Sequence, residues 1–213
     1  MDQEQLQRTL DGHQTWLLSH GQDGHRADLR GQDLHGMDLS GRDLRGIDLR
    51  QADLAGADVS TSDLRHANLS EANASGANFS GSRLDSAMLW RTNLQRATFV
   101  DSSMRDGLLR AAAARAANFR DADMRACDLS GSDLRDCVLS GADLRQARLS
   151  EADLSGADLH TVLRPTRLRG ADLSGALLVR TNLQGAEDVN LHGARRFRGP
   201  RVPPLVSDDE LER

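Results

Sequence analysis

A leucine or another apolar residue recurs at every fifth residue through the middle of this 213-residue chain, and that period limits what the chain can fold into. The stretch GADLRQARLSEADLSGADLH, residues 141–160, carries Leu144, Leu149, Leu154 and Leu159 at this spacing. Residues five apart in an α-helix differ by about 140° in direction, and an odd spacing in a β-strand places successive side chains on opposite faces. The period therefore belongs to a repeating unit of five residues rather than to an ordinary helix or strand.

The five places of the unit hold different kinds of residue. The central place recurs 27 times from Leu29 onward and is never polar, and the residue two places earlier is small in 23 of these units. In extended chain, residues two apart face the same way, so both of these residues point inward while the Asp or Asn between them points outward. The remaining place, often Gly, turns the corner, where a positive φ costs Gly little. The large exceptions at the small place all lie near the start of the repeats: Gln32, Met37, Arg42 and Ile47.

Four units of this kind make one square coil of 20 residues. Successive coils stack about 4.8 Å apart through backbone hydrogen bonds, so like residues lie on like residues. The phase slips by one residue within HTVLRPTR, residues 160–167, where Pro165 suits a corner or a bulge and cannot join a ladder of hydrogen bonds. The sequence predicts about eight coils over residues 25–194.

The repeats also match a known signature. ADLSGADL, ANLSEANASGANF and GADLRQARLSEADLSGADL resemble the A(D/N)LXX repeat of the pentapeptide repeat family. The resemblance covers roughly residues 27–194 and implies an all-β fold, a right-handed quadrilateral β-helix. An ordinary Leu-rich helical domain is the alternative, and dozens of in-phase units argue against it.

The resemblance further implies a function. The best-understood members of the family bind the type II topoisomerases DNA gyrase and topoisomerase IV, and protect them from quinolones or natural-product poisons. The resemblance therefore predicts a topoisomerase-binding protein that gives antibiotic resistance or self-resistance. A general protein-interaction scaffold with an unrelated target is the alternative, and direct DNA binding through arginines is a third hypothesis. The chain departs from those members in preferring Leu to Phe at the central place, and its tail has few apolar residues, with Leu205, Val206 and Leu211 near its end, instead of an apolar C-terminal helix.

The two ends of the chain differ from the repeats. Residues 1–24 predict an N-terminal capping helix, because Leu6, Leu10, His13 and Leu17 fall on one helical stripe. We expect this helix to cover the first coil. Residues 195–213 form a C-terminal tail that is basic, then rich in proline, then acidic. The last coil lacks a comparable cover, and uncovered strand edges recruit partners, so the sequence predicts a homodimer through the C-terminal end.

Residues 20 apart share a side, which sorts the outward residues onto four sides. We number the sides by their first central residues: Leu29 for the first side, Leu34 for the second, Leu39 for the third and Leu44 for the fourth. The second and third sides together carry eleven acids against five arginines, a distribution that could imitate the charge of DNA. An alternative role for these acids is to accept hydrogen bonds from nearby backbone N–H groups. The predicted partner-binding acids are Asp33, Asp53, Asp133, Asp136, Asp153 and Asp172 on the second side, and Asp38, Asp58 and Asp158 on the third.

The fourth side alternates arginines with acids. Arg45, Arg65, Arg125 and Arg145 follow the central residue there, and an Asp mostly precedes it. This pattern favours a self-neutralising row of surface ion pairs over a strip that binds anions or nucleic acid, because the interleaved acids would repel phosphate.

Apolar residues at outward places are rare, so the exceptions are informative. Met88, Trp90 and Leu108 fall together on the first side, as a candidate apolar anchor for a partner or as a local packing patch under a loop. Three phenylalanines recur on the third side in consecutive coils, where we expect them to stack in the interior. The predicted structural core includes Phe79, Phe99, Phe119, Leu144, Leu149, Leu154 and Leu159.

Several classes of protein are disfavoured. The chain has no HExxH, GxSxG, Walker or dinucleotide-binding motif and no paired cysteine ligands, which predicts that it is not an enzyme and uses no metal or cofactor. A formal net charge of −5 argues against a dedicated binder of nucleic acid, and no sequence-specific binding of nucleic acid is expected.

No apolar run of about 18 residues is present, which predicts a cytoplasmic protein without membrane contact. Cys127 and Cys137 fall on opposite sides of the square and are not expected to form a disulfide.

Overall fold

A computed structural model describes residues 1–158, residue 173 and residues 190–194, and shows one α-helix followed by stacked four-sided coils. Helix α1 spans Gln3–Leu18. From Asp28 onward, the residue before each centre forms a parallel β-bridge with the residue 20 positions later, ending with the bridge between Val138 and Asp158. Each side is too short for more than one bridge residue, so the described coils contain isolated bridges rather than longer strands. The fold is the right-handed quadrilateral β-helix that the sequence predicts.

Backbone hydrogen bonds join the coils at every side. The Leu29 amide donates to the Asp48 carbonyl at 2.8 Å, the Gly31 amide donates to the Arg50 carbonyl at 2.9 Å, and the Asp48 amide donates back to the Ala27 carbonyl at 3.3 Å. The same three bonds recur along the described coils, so backbone polar groups are paired between neighbouring turns of the chain. Stability therefore comes from contacts between adjacent coils, as in other solenoids.

The corners are β-turns with an unusual backbone. The Gln32 amide closes the first of them by donating to the Leu29 carbonyl at 3.2 Å. The third residue of the turn has a positive φ at all 26 corners from residue 31 to residue 156, which is the geometry of a type II turn. Ten of these residues are Gly, but sixteen are not, and Thr61 holds a φ of 56° despite its β-branched side chain. The backbone geometry is therefore kept even where the sequence does not favour it.

The two inward places of each unit form the core. Ala52 and Leu54 are typical, since neither side chain is exposed to solvent. The rings of Phe79, Phe99 and Phe119 stack along the third side, with centroids 4.9 and 5.0 Å apart. This spacing matches the distance between coils, so the rings of consecutive coils pack face to face. Also buried in the core are Leu144, Leu149 and Leu154, whereas Leu159 lies outside the described residues.

Helix α1 covers the open end of the first coil. It begins with a capping box, in which the Asp2 side chain accepts the Gln5 amide and the Gln5 side chain accepts the Asp2 amide. Leu6 and Leu10 are buried in the core, and the buried ring of His13 accepts the Ala27 amide at Nδ1 over 3.2 Å. Burial lowers the pKa of His13, which favours the neutral ring that this bond requires.

Three of the four large exceptions at the small place, Gln32, Met37 and Arg42, belong to the first coil, and Ile47 begins the second. Arg42 donates to the Gln7 side chain of α1 at 3.0 Å, Met37 packs against the core while partly buried, and Ile47 is fully buried. In later coils the small place is buried in the narrow interior, whereas Met37 and Arg42 are only partly buried and Arg42 reaches the helix, which explains the tolerance for larger residues in the first coil.

Gly24 holds the segment that leads from α1 to the first coil. Its φ is +72°, and a Cβ atom at this position would lie 2.4 Å from the Gly12 carbonyl oxygen of the helix. Any other residue would push the segment away from α1.

Some predictions concern residues outside this description. They include the phase slip at residues 160–167, the last coil near residues 183–193 apart from residues 190–193, and the tail at residues 195–213. The predicted C-terminal homodimer depends on the last coil and stays a prediction. Among the described residues, no helix has the length and apolar character needed to span a bilayer.

Candidate interaction surfaces

The outward Asp or Asn of each unit has a structural role. Asp33 Oδ1 accepts the backbone N–H of His35 at 3.0 Å, and Asp53 Oδ1 accepts that of Ala55 at the same distance. Asn68 and Asn78 accept the amides two residues later in the same way. The shared element is a side-chain oxygen rather than a charge, so the alternative role considered for these acids is present throughout the described coils.

Where Arg follows two residues after Asp, the two side chains form a fork. Arg45 donates to Asp43 through Nε at 2.8 Å and Nη2 at 2.6 Å. These bonds lower the pKa of Asp43 and raise that of Arg45. The first and fourth sides are rich in such forks, so most of their charge is neutralised locally. The described forks are Asp28–Arg30, Asp43–Arg45, Asp48–Arg50, Asp63–Arg65, Asp123–Arg125, Asp133–Arg135 and Asp143–Arg145.

One part of the fourth side uses pairs between coils instead. Arg83 and Asp85 stand in reversed order around Leu84, and Asp85 accepts hydrogen bonds from the Ser103 hydroxyl and from the Arg105 amide. Ser103 stands where the fork partner of Arg105 would be, and the Arg105 side chain instead donates to Asp123 of the next coil at 2.6 Å. Burial opposes ionisation of Asp123, but its bonds to Arg125 and Arg105 outweigh that effect and lower its pKa to about 2. The fourth side is thus the ion-pair row that the sequence favours.

The second and third sides begin with four carboxylates that have no arginine partner among the described residues. We call Asp33, Asp38, Asp53 and Asp58 the acidic patch. Within the described part of the chain, no Arg nitrogen lies within 4.0 Å of any of them. The residues two places later are His35, Ser40, Ala55 and Ser60, so no fork can form.

The acidic patch is continued by neutral amides in the next coils. Asn73 donates its side-chain amide to Asp53 at 2.9 Å, and Asn78 donates to Asp58 at 3.1 Å. Asp33 and Asp38 are exposed, whereas Asp53 and Asp58 are half-buried. The patch is therefore a compact group of carboxylates at the N-terminal end of the rod, with solvent on one side and amides on the other.

Farther along the second side the predicted acids are paired. Asp133 forms a fork with Arg135, whose Nε also lies 3.8 Å from Asp153. Asp136 accepts hydrogen bonds from Arg115 at 3.1 Å, across neighbouring coils. The Arg115 pairing was missed from the sequence, although an Arg and an Asp at facing places 21 residues apart could have indicated it. Asp158 is exposed at the end of the described coils, and Asp172 lies outside them.

The first side carries an exposed apolar group. We call Met88, Trp90 and Leu108 the apolar patch; their exposed fractions are 37%, 43% and 46%. Met88 and Leu108 are bridge partners in adjacent coils, and no described segment covers them. Beside Trp90 lies a cavity of about 350 Å³ lined by Arg30, Arg50, Gln51, Ser70, Glu71 and Trp90.

The described residues show no arrangement typical of an enzyme. No group of His, Cys, Asp or Glu among them could hold a metal ion. Cys127 and Cys137 are free and buried, and their thiols donate to the carbonyls of Met104 and Ala114. Burial raises the pKa of each thiol to about 12, so neither supplies a thiolate at neutral pH.

Comparison with known proteins identifies the family. The model of pentapeptide repeats matches in eight copies over residues 25–60, 33–70, 62–101, 102–141, 127–163 and 160–195. The chain belongs to the pentapeptide repeat family. A search of curated protein sequences gives no match.

Solved structures of other pentapeptide repeat proteins are similar to this chain. HetL, involved in the regulation of heterocyst differentiation in the cyanobacterium Nostoc sp. strain PCC 7120, is 31% identical, over 78% of this chain and 84% of HetL, with a TM-score of 0.33. Full-length QnrB1, a plasmid-mediated fluoroquinolone resistance protein, is 19% identical over 80% of this chain and 91% of QnrB1, with a TM-score of 0.40. A thylakoid-lumen protein of Arabidopsis thaliana is 23% identical over 74% and 72% of the two chains, with a TM-score of 0.31.

Proposed function

We propose that this pentapeptide repeat protein binds a type II topoisomerase through the acidic patch and protects the enzyme from a topoisomerase poison. Membership of the family supports a binding role, because its best-understood members act in this way. The observation that carries the proposal is the group of four carboxylates, Asp33, Asp38, Asp53 and Asp58, without arginine partners in the described coils.

The spacing of its charges makes the acidic patch a suitable ligand for a protein surface that ordinarily binds DNA. Asp33 and Asp53 are bridge partners, as are Asp38 and Asp58, so each pair of residues lies about 4.8 Å apart along the rod. A DNA duplex carries one negative charge per about 1.7 Å of axis, and proteins meet it with basic residues. Two adjacent columns of carboxylates would attract such a basic surface.

The rest of the rod offers less attraction of this kind. On the fourth side Asp43, Asp63, Asp123 and Asp143 are each held by an arginine, as in the fork between Asp63 and Arg65. A basic partner would have to displace that arginine before it could pair with the carboxylate. The acidic patch needs no such exchange, since its members bond only backbone amides and neutral side chains among the described residues.

The test is gyrase supercoiling in the presence of a quinolone. We expect the purified protein to restore activity, and added salt to weaken this rescue, because such attraction is screened over about 8–10 Å at ordinary ionic strength. Replacing Asp33, Asp38, Asp53 and Asp58 with Asn should abolish the rescue while keeping the oxygens that accept backbone amides. The matched control replaces Asp43, Asp63, Asp123 and Asp143 with Asn, which removes the same charge from the fourth side and should preserve rescue.

Two results would reject the proposal. Equal rescue by the two variants would mean that the position of the carboxylates is irrelevant. If the unmodified protein protects neither gyrase nor topoisomerase IV at saturating concentration, the alternative of a general interaction scaffold with another target would replace it.

A further inference from the structure

The apolar patch interrupts the pattern of outward acids. Met88 and Leu108 occupy the place before the centre, where Asp48, Asn68 and Asp128 stand in other coils of the first side. Trp90 is the only tryptophan on the coils and keeps 43% of its surface exposed. An aromatic residue beside two aliphatic ones on an otherwise polar surface is typical of a binding site for apolar side chains.

Two arginines beside the apolar patch lack the usual fork. Leu108 stands where the fork partner of Arg110 would be, and Arg110 lies 3.9 Å from Asp128 with 65% of its side chain exposed. Arg91 lies over the Trp90 ring, with its guanidinium carbon 5.2 Å from the ring centre. No carboxylate is within 4.0 Å of Arg91 in the described coils. The surface therefore combines apolar groups with cations whose pairing is incomplete, and it complements apolar side chains flanked by carboxylates.

The end of the chain contains a segment of that composition. The sequence PLVSDDEL, residues 204–211, places Leu205 and Val206 next to Asp208, Asp209 and Glu210. Residues 195–213 lie outside the described part of the chain, which ends at residue 194.

A linker of ten residues joins the described part of the chain to this segment. Residues 195–204 can reach about 33 Å when extended. A tethered segment also has an effective concentration of the order of millimolar, so a weak contact is sufficient for occupancy.

We propose that the apolar patch binds residues 205–210 of the same chain. Leu205 and Val206 pack against Trp90 and Leu108, and the acids that follow pair with Arg91 and Arg110. A partner that uses the apolar patch must first displace this segment. The proposal is independent of the topoisomerase proposal, because it concerns the first side and its test contains no topoisomerase.

Trp90 reports the contact directly. The full chain has two tryptophans, so a Trp16→Phe background leaves Trp90 as the sole source of indole fluorescence. Quenching by acrylamide is compared between this protein and a variant that also carries Leu205→Ser and Val206→Ser. Loss of the contact should raise the quenching constant roughly twofold, because more of the indole becomes accessible. Val202→Ser, an apolar tail residue outside the segment, is the matched control and should change nothing.

A charge exchange tests the ionic part of the contact. Arg110→Glu should raise quenching, and adding Asp208→Arg and Asp209→Arg should restore protection. Equal quenching in the background protein and in the Leu205→Ser, Val206→Ser variant would overturn the proposal, and would leave the patch to an external partner. Protection that disappears on dilution from micromolar to nanomolar protein would also overturn it, because the segment would then come from a second copy.

Discussion

The fourth side and the acidic patch use the same residue at the same place, yet their surfaces differ in charge. Asp43 and Asp53 both precede a buried leucine and both accept the backbone amide two residues later. Arg45 follows the first and neutralises it, whereas Ala55 follows the second and leaves its charge available. The difference shows that the five-residue unit fixes the position of the carboxylate, and the single residue after the centre decides whether a partner can use it.

The largest effect is expected from breaking the scaffold that both surfaces share. Leu144 is fully buried under the fourth side, and Leu144→Asp should lower the free energy of unfolding by about 3–5 kcal/mol, because an unpaired charge would enter a dry interior. Arg145→Asp, one residue later on the surface, is the control and should cost about 1 kcal/mol or less. Thermal melting of both variants checks the difference, and similar melting temperatures would contradict the inward assignment.

Adding arginines beside the acidic patch tests directly whether its charge differs in effect from the paired charge of the fourth side. Ala55→Arg and Ser60→Arg would place guanidiniums two residues after Asp53 and Asp58, as on the fourth side. We expect association with gyrase to slow by about tenfold, because the carboxylates remain but their charge is neutralised. Ala55→Gln with Ser60→Gln is the uncharged control. Surface plasmon resonance measures the association rate. An unchanged rate in the arginine variant would show that binding does not depend on the charge of the acidic patch.

A corner between the two surfaces offers a test of backbone strain. Thr61 joins the third side to the fourth with a φ of 56°. Thr61→Gly should raise the free energy of unfolding by about 0.5–1 kcal/mol, because Gly adopts a positive φ without the clash of a Cβ atom, partly offset by its greater freedom when unfolded. The converse change Gly56→Thr should destabilise by a similar amount. Urea denaturation measures both, and destabilisation by Thr61→Gly would show that the threonine contacts matter more than the strain.

The smallest effect concerns pH. The forks lower the pKa of Asp43 and hold that of Asp123 at about 2, so these carboxylates contribute stability above their unfolded pKa near 4 that is lost as pH falls through the folded value. Asp123→Asn should reduce the loss of stability between pH 5 and pH 2 by at most about 1 kcal/mol, since the pair is partly exposed. Urea midpoints at both pH values provide the measurement, and an unchanged pH dependence in the Asp123→Asn variant would contradict the stabilising role of the fork.

The sequence predicted the fold because a strict period leaves few solutions. Spacing alone placed Phe79, Phe99 and Phe119 on one side, where the rings stack. The non-Gly corners were harder to predict, because a residue such as Thr61 has no local preference for a positive φ, and the hydrogen bonds of two neighbouring coils impose it.

The candidate site was predicted less completely than the fold. Counting acids by side does not distinguish Asp33, which has no arginine nitrogen within 4.0 Å among the described residues, from Asp136, which is bound by Arg115 of a neighbouring coil. That distinction depends on side-chain conformation across coils, which a count cannot supply. The larger residues at Met37 and Arg42 did indicate where the helix would sit.

The direction of the hydrogen bonds between coils has a mechanical consequence. Bonds such as that from the Leu54 amide to the Asn73 carbonyl join one coil to the next, along the length of the rod. Tension applied along the rod would load the bonds of one interface at a time and peel coils away in sequence. Each coil released would add about 60–65 Å of extended chain, the contour of 20 residues less one stacking distance. A pulling experiment should therefore record a regular series of small steps of equal length rather than a single large rupture.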